Sequence, residues 1–298
     1  MTDSFDKVEY ATRLQDSWTP NYPAIYNLFL GPNSNAVNET TKDDIEQASV
    51  SFKTVETLGE VAAKPISEQS TEISRFKTGS KTKSYLKYLN GIAWKRKGLR
   101  ATYENFASIS NQALNKILMQ EDKEFLTGLD ANGNQTNNGL FLSNDPDYVE
   151  EKVSGATPTS LTSIKNTLDK DLELIRKEVV GVKYIFAWGT MKDSLGGFPT
   201  EQSVRTTQDI IESSIPDVRF INPISDISAG ASSDDIGVGG YLIVTPSAVR
   251  LHHGLLTKIL SLGYNEEEMR IWLNIGYNSK SLEVLAKMGI YKKVWSGQ

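Results

Sequence analysis

Residues 48–94 contain two stretches in which apolar side chains recur at alternate positions. Val50, Phe52 and Thr54 alternate with Ser51, Lys53 and Val55. Further on, Leu86, Tyr88, Ile92 and Trp94 share one parity, and Lys87, Gly91 and Ala93 share the other. A period of two places successive side chains on opposite faces, so this pattern predicts strands with one covered face. The intervening GEVAAKPISEQSTEISRFKTGSKTK is polar and carries Pro65 and Gly79. The expectation is a long two-stranded ribbon with a polar tip. Two strands bury too little surface to be stable alone in water, so the ribbon has to lean on a partner.

Charge sharpens that requirement. Residues 75–100 hold nine Lys or Arg (Arg75, Lys77, Lys81, Lys83, Lys87, Lys95, Arg96, Lys97, Arg100) and no Asp or Glu, within a chain of formal net charge -5. The first 74 residues carry twelve acids against five bases. A basic band between acidic regions can be neutralised by further copies of the chain, or can lie along a polyanion. Lysines on an exposed ribbon also protect an edge against aggregation. Solvated faces usually mix both signs, however, and this band does not. Phe76, Tyr85, Tyr88 and Trp94 are interleaved, as in stacking surfaces for nucleic acids, but the shared parity of Tyr88 and Trp94 reads as packing.

Residues 1–45 contain Pro20, Pro23, Gly31 and Pro32, yet also Phe5, Tyr10, Trp18, Tyr22, Tyr26 and Phe29. Disordered linkers are poor in aromatics, so this segment is expected to be an arm packed on a surface, of its own chain or of a neighbour. Its first residues are acidic and lack the apolar core of a signal peptide, and retention of the arm is expected. Residues 100–127 switch to helical period, with Phe106, Ile109, Ala113 and Ile117 beside Leu114, Leu118 and Phe125, and Gly128 as the stop. A Gly/Asn turn and a short apolar strand, GLFL, follow. Residues 159–179 show a clean stripe of Leu161, Ile164, Leu168, Leu172, Ile175 and Val179. After it come a strand over 182–188, a second helix over 201–215, strands over 218–221 and 241–245, a strand over 269–277 and a short helix over 279–288. Helices alternating with strands point to an α/β unit.

Catalytic and metal signatures are absent or broken. There is no cysteine, which removes disulfides, thiol nucleophiles and thiolate metal sites together. Asp130, Asn132 and Asn134 begin like a calcium loop, but Gln135 stands where Gly is required and Phe141 where a bidentate Glu is required. His252 and His253, the only histidines, are adjacent and do not converge on one face; they are read as a partly exposed structural pair. The glycines of IGVGGY precede a strand rather than a helix, contrary to a dinucleotide fingerprint, and read as a flexible surface loop. No cofactor, no metal and no enzymatic activity are expected, and no apolar run reaches the ~20 residues of a membrane span.

The order of elements carries a resemblance. Ser84–Arg100 runs into the helix Ala101–Leu126, then FLTGLDANGNQTNNGLFLSND; later GGYLIVTPSAVRLHH is followed by EEEMRIWLNIGYNSKSLEVLAKMGI. This order resembles the major capsid proteins of tailed bacteriophages, with the Hong Kong 97-type (Johnson) fold. Asn278–Lys280 stands where that family commonly has a proline. The resemblance implies an α+β chain with an N-terminal arm at 1–45 and an extended loop at 46–94. It implies a peripheral domain at 95–158 and 263–298 with its spine helix at 100–127, and an axial domain at 159–262. It implies a virion protein, made in the host cytoplasm, that assembles with itself into hexamers and pentamers of an icosahedral shell. Portal, scaffolding or decoration proteins and DNA on the inner surface are its implied partners. Arg75, Lys77, Lys81, Lys83, Lys87, Arg96 and Arg100 are the expected assembly contacts. An encapsulin-like compartment shell, and a nucleic-acid-binding protein using residues 75–100, are the alternatives.

Overall fold

A computed structural model of the chain describes residues 16, 24–30, 35–36, 48–58, 75–85, 87–95, 103–129, 139–142, 148–222, 233–253, 258–265, 270–278 and 280–297. In chain order the strands are β1 (Asn35–Ala36), β2 (Ala48–Leu58), β3 (Arg75–Tyr85), β4 (Lys87–Lys95), β5 (Val149–Val153), β6 (Lys183–Trp188), β7 (Val218–Ile221), β8 (Gly239–Val244), β9 (Val249–His253), β10 (Lys258–Asn265), β11 (Arg270–Asn278), β12 (Ser281–Val284) and β13 (Ile290–Trp295). The helices are α1 (Tyr103–Thr127), α2 (Leu161–Glu178), α3 (Gly189–Gly196), α4 (Thr207–Ser214) and a single turn, α5 (Ser233–Ile236).

A two-stranded ribbon is present, but its second strand is β3, whose residues 75–83 belong to the stretch expected as the polar tip, and not the alternating segment 86–94. β2 and β3 pair antiparallel from Ala48↔Tyr85 to Leu58↔Arg75. β4 does not continue the ribbon. It pairs along its length with β11, from Lys87↔Asn278 to Lys95↔Arg270, in a separate sheet of order β10-β11-β4. Parity alone cannot reveal this division, because both sheets impose the same period.

A five-stranded mixed sheet of order β5-β13-β8-β6-β7 forms the centre. The inner strands β6, β8 and β13 are covered on both faces, so β6 and β8 read as near-continuous apolar runs rather than alternations, while β13 interrupts its run with the buried Lys292 and Lys293. Phe186, Trp188, Leu242, Val244, Ile290 and Val294 face one layer, with Leu118, Phe125 and Leu126 of α1, Leu140 and Phe141, the 3-10 turn Ile25–Phe29, and Val249, Leu251, Leu282 and Val284 of β9 and β12. Ile185, Ala187, Tyr241, Ile243, Tyr291 and Trp295 face the other, against Ile164, Leu168, Leu172 and Ile175 of α2, Met191 and Leu195 of α3 and Ile211 of α4. The sheet takes β5 and β13 from outside the span 159–262. The part of the arm described, Ala24 to Phe29, packs on the chain's own core, where the Phe29 and Phe125 rings lie 5.5 Å apart.

Local chemistry explains where the helices begin and stop. Gly128 has φ 73 and donates its N–H to the Glu124 carbonyl at 2.7 Å, closing α1 as the sequence suggested. Ser160 and Ser163 form a reciprocal cap on α2, and Thr206 and Asp209 another on α4. That second cap corrects the helix expected over 201–215. It begins only at Thr207, and α3 precedes it. Leu140–Leu142 is a 3-10 turn, not a strand. The helix expected over 279–288 is instead the strand β12, paired with β9 through Leu282↔Leu251 and Val284↔Val249. Leu282 and Val284 are both buried, so the available partner edge decided in favour of period two.

Candidate functional site

No three His, Cys, Asp or Glu side chains among the described residues could hold a metal ion. What the structure builds is a set of polar anchors between layers, together with a turn and a loop that expose apolar side chains.

The first anchor joins three distant parts of the chain. Glu121 and Asp122 lie on the core-facing side of α1, three and four residues after Leu118, where a helix stripe would continue with apolar side chains. Lys280 donates to Glu121, and both are buried. The Lys280 ammonium also sits 4.1 Å from the centroid of the Tyr26 ring. Burial lowers the Lys280 pKa, and the Glu121 carboxylate opposes that shift. Asp122 accepts the Ile25 N–H through both oxygens, at 3.0 and 2.8 Å. The start of the 3-10 turn and the segment before β12 are thus fastened to the same turn of α1.

The second anchor pins α2 to the central sheet. Lys293 donates to Asp171 at 3.0 and 3.2 Å and pairs with Glu151 at 3.1 Å. Tyr241 donates to Asp171, and Tyr291 to Glu151. Burial raises the Tyr241 pKa, and Asp171 raises it further. Burial works to raise the Glu151 carboxyl, but hydrogen bonds from Tyr291 and Lys293 outweigh it and hold the pKa low. On the opposite face of β13, Lys292 pairs with Glu150 at 3.0 Å and lies 4.4 Å from the Phe141 ring centroid.

At the edge of the sheet, Arg176 grips Asp217 through two nitrogens and Lys183 approaches it at 3.2 Å. The hydrogen bond from Arg176 is the main reason that the Asp217 carboxyl falls to about 2. The edge strand β7 has its outward amides occupied. Val218 N–H donates to the Ile215 carbonyl at 3.2 Å, and Phe220 N–H to the Glu212 carboxylate at 2.5 Å.

Two readings of candidate chemistry change. His252 is fully buried rather than partly exposed, with Nε2 2.9 Å from the Glu283 carboxylate, and Arg250 reaches the same oxygen at 3.5 Å. The glycines of IGVGGY are not a loose loop: a Cβ on Gly240 would lie 2.3 Å from the Lys293 carbonyl oxygen and 2.4 Å from the Trp188 ring. They let β8 lie against β13 and Trp188. Of the calcium-like loop, residues 130–138 lie outside the described residues.

The basic residues singled out in the sequence fall in two sheets. Arg75, Lys77, Lys81 and Lys83 are on β3, opposite Leu58, Glu56, Phe52 and Val50 of β2. Lys87 is on β4, opposite Asn278. Arg96 and Arg100 lie outside the described residues.

The anchors were missed in the sequence, though a signal exists. Asp171 falls on the α2 stripe, three residues after Leu168 and four before Ile175, where only a paired charge can sit. Glu121 and Asp122 occupy the same kind of position on α1.

No protein-family model matches the chain, and no curated protein matches it. The similarity lies in the fold. The capsid of Myoviridae phage XM1 superposes with a TM-score of 0.58 at 11% identity, covering 94% of each chain. The virus-like particle from Pyrococcus furiosus gives 0.54 at 10% identity, over 96% of this chain and 97% of that one. A structure from Mycobacterium phage Adephagia gives 0.53 at 12% identity, over 98% of each. The chain has the α+β fold of tailed-phage capsid proteins, the Hong Kong 97-type fold.

Proposed function

We propose that this chain is the major capsid protein of a tailed phage, assembling with itself into the icosahedral head shell that encloses a DNA genome. The observation that carries this reading is the similarity to the phage XM1 capsid over 94% of both chains. A likeness of that extent involves ribbon, long helix and central sheet together, not one common motif. The anchors support it, because they tie segments distant in sequence into one framework. On this reading the division is an arm at 1–45, an extended loop at 46–94, a peripheral domain with the spine helix α1, and an axial domain that also takes in β5 and β13. The protein resides in the virion, and portal, scaffolding or decoration proteins and packaged DNA are its further partners. Arg75, Lys77, Lys81, Lys83, Lys87, Arg96 and Arg100 act as contacts with neighbouring copies.

The test is electron microscopy and sedimentation of the chain expressed alone and with its neighbouring head genes. Closed particles of uniform diameter support the proposal, and a protein that stays monomeric in both settings overturns it. The Pyrococcus furiosus likeness favours one second reading, a compartment shell. Nuclease-resistant DNA inside particles made during infection decides for the phage head, and a protein cargo without DNA decides for the compartment.

A further inference from the structure

Among the described residues, Val204, Val180 and Phe198 are the most exposed large apolar side chains, ahead of Leu174 and Val238, and they fall on two segments of the central α/β unit whose backbone is pinned by hydrogen bonds. The first is the turn between α2 and β6. Val180 is 85% exposed and Val182 42%. Gly181, between them, has φ 129, and its Cβ would press on the Ser247 hydroxyl. The Val180 carbonyl accepts from Ser247 Oγ and the Gly181 carbonyl from Lys183 Nζ, each at 2.6 Å. The second is the loop between α3 and α4, with Val204 at 93% and Phe198 at 62%. Here Ser203 N–H donates to the Thr200 carbonyl at 3.0 Å and Ser203 Oγ to the Arg205 carbonyl at 2.8 Å, while Thr207 N–H closes the loop on Gly197 at 2.9 Å. Large apolar side chains on pre-ordered backbone lose little entropy on docking, which is what an interface requires.

The two places lie at opposite ends of one edge. β6 and β7 are parallel, with Lys183 opposite Val218, so the Val180 turn sits at the amino end of both strands. α4 has eight residues, about 12 Å of helix, and runs from the Val204 loop back to the start of β7. At its other end Gln208 meets Asn222, just past the end of β7. Between them, along α4 and β7, opens a cleft of about 440 Å³ lined by Arg205, Asp209, Glu212, Ser213 and Arg219. Arg205, exposed, follows Val204, and Glu178, exposed, precedes the Val180 turn, where the neighbouring Arg176 and Lys177 are already paired with Asp217 and Glu173.

We infer that the Val204–Arg205 loop of one copy docks on the Val180–Val182 turn of a second copy, with Arg205 facing Glu178. The contact is heterologous: one end of the edge meets the other end of the next. Repetition of such a contact closes a ring when the rotation divides a full turn. This rests on the shell reading and names the surface by which its rings would be built. The occupant is a second copy because complementary apolar and charged groups both reside on this chain, at opposite ends, where self-docking within one chain is impossible. The cleft, with two bases and two acids, suits a protein surface of mixed charge.

The chain has no cysteine, so cross-linking can test the contact cleanly. Val180→Cys and Val204→Cys are made as single variants, and each is oxidised alone and in an equimolar mixture under conditions where the wild type assembles. The mixture is expected to give a disulfide-linked dimer that neither variant gives alone, because in a heterologous contact residue 180 meets 204 and not itself. Arg205→Glu and Glu178→Arg are each expected to reduce assembly at least tenfold, and the double variant to recover it. Particles that form without the 180–204 link, or single variants that link to themselves, overturn the contact and leave the shell reading standing. A 180–204 link in a protein that forms no closed particle supports the contact and overturns the shell reading. No link and no particles overturn both.

Discussion

Removing the Lys280 cation should cost more stability than any exposed ion pair in the molecule. Both side chains of the Lys280–Glu121 pair are 1% exposed, so Lys280→Met leaves the Glu121 carboxylate in the interior without this partner. Breaking a buried pair from one side costs about 3–5 kcal/mol, because the remaining charge stays desolvated. Loss of the cation over the Tyr26 ring adds about 1 kcal/mol. Methionine has a similar length to lysine and fills most of the space, so a cavity contributes little. Replacing both partners, as Glu121→Leu with Lys280→Met, removes the charge along with its partner and should return stability to within about 1 kcal/mol of the wild type. Urea unfolding of the unassembled subunit, followed by tryptophan fluorescence, measures all three. The reasoning is refuted if Lys280→Met loses less than 1 kcal/mol, or if the double variant loses as much as the single.

Asp217 makes the edge of the sheet acid-sensitive. Its carboxyl is held at about 2, against an ordinary 3.8, so its contribution is present above pH ~4 and is lost as pH falls toward 2. After allowance for its partial exposure this amounts to about 1–2 kcal/mol, and Asp217→Asn should flatten the stability profile of the wild type across that interval. Gly240→Ala should lose at least 2 kcal/mol in thermal or chemical unfolding, because backbone and an indole ring both block the new methyl; an unchanged midpoint would contradict the packing of β8 on β13. Reversing the sign at Lys81, Lys83 and Lys87 together should leave the subunit folded by circular dichroism and block assembly. Normal empty shells that fail only to retain DNA would assign the basic band to nucleic acid.

Periodicity was readable wherever one partner layer determined it. The α2 stripe, the strand ending at Trp188 and the stop at Gly128 all follow from spacing within a short window. Readability failed where a distant partner made the choice. Ser281–Val284 carries too few residues to distinguish a helix from a strand, and the edge of β9 decided. β13 reads as half polar because Lys292 and Lys293 are buried only by virtue of Glu150, Glu151 and Asp171, which lie far away in sequence. β4 shares the parity of the ribbon but joins another sheet, a choice made by β11 some 180 residues later. The candidate contact surface was invisible for a related reason: Val180 and Val204 are unremarkable letters until burial of their neighbours shows that these two were left outside.

The occupied amides of β7 bear on how copies can recognise one another. An open strand edge accepts any extended peptide, forms several hydrogen bonds at once and releases slowly, so a wrongly placed copy would be trapped. With the amides of Val218 and Phe220 already donating inside the subunit, a newcomer finds neither of those backbone donors free. Contacts through side chains are individually weak and specific in angle, and a misplaced copy dissociates before the next one arrives. On the proposed shell reading, error correction during growth would follow from two backbone hydrogen bonds made inside each subunit.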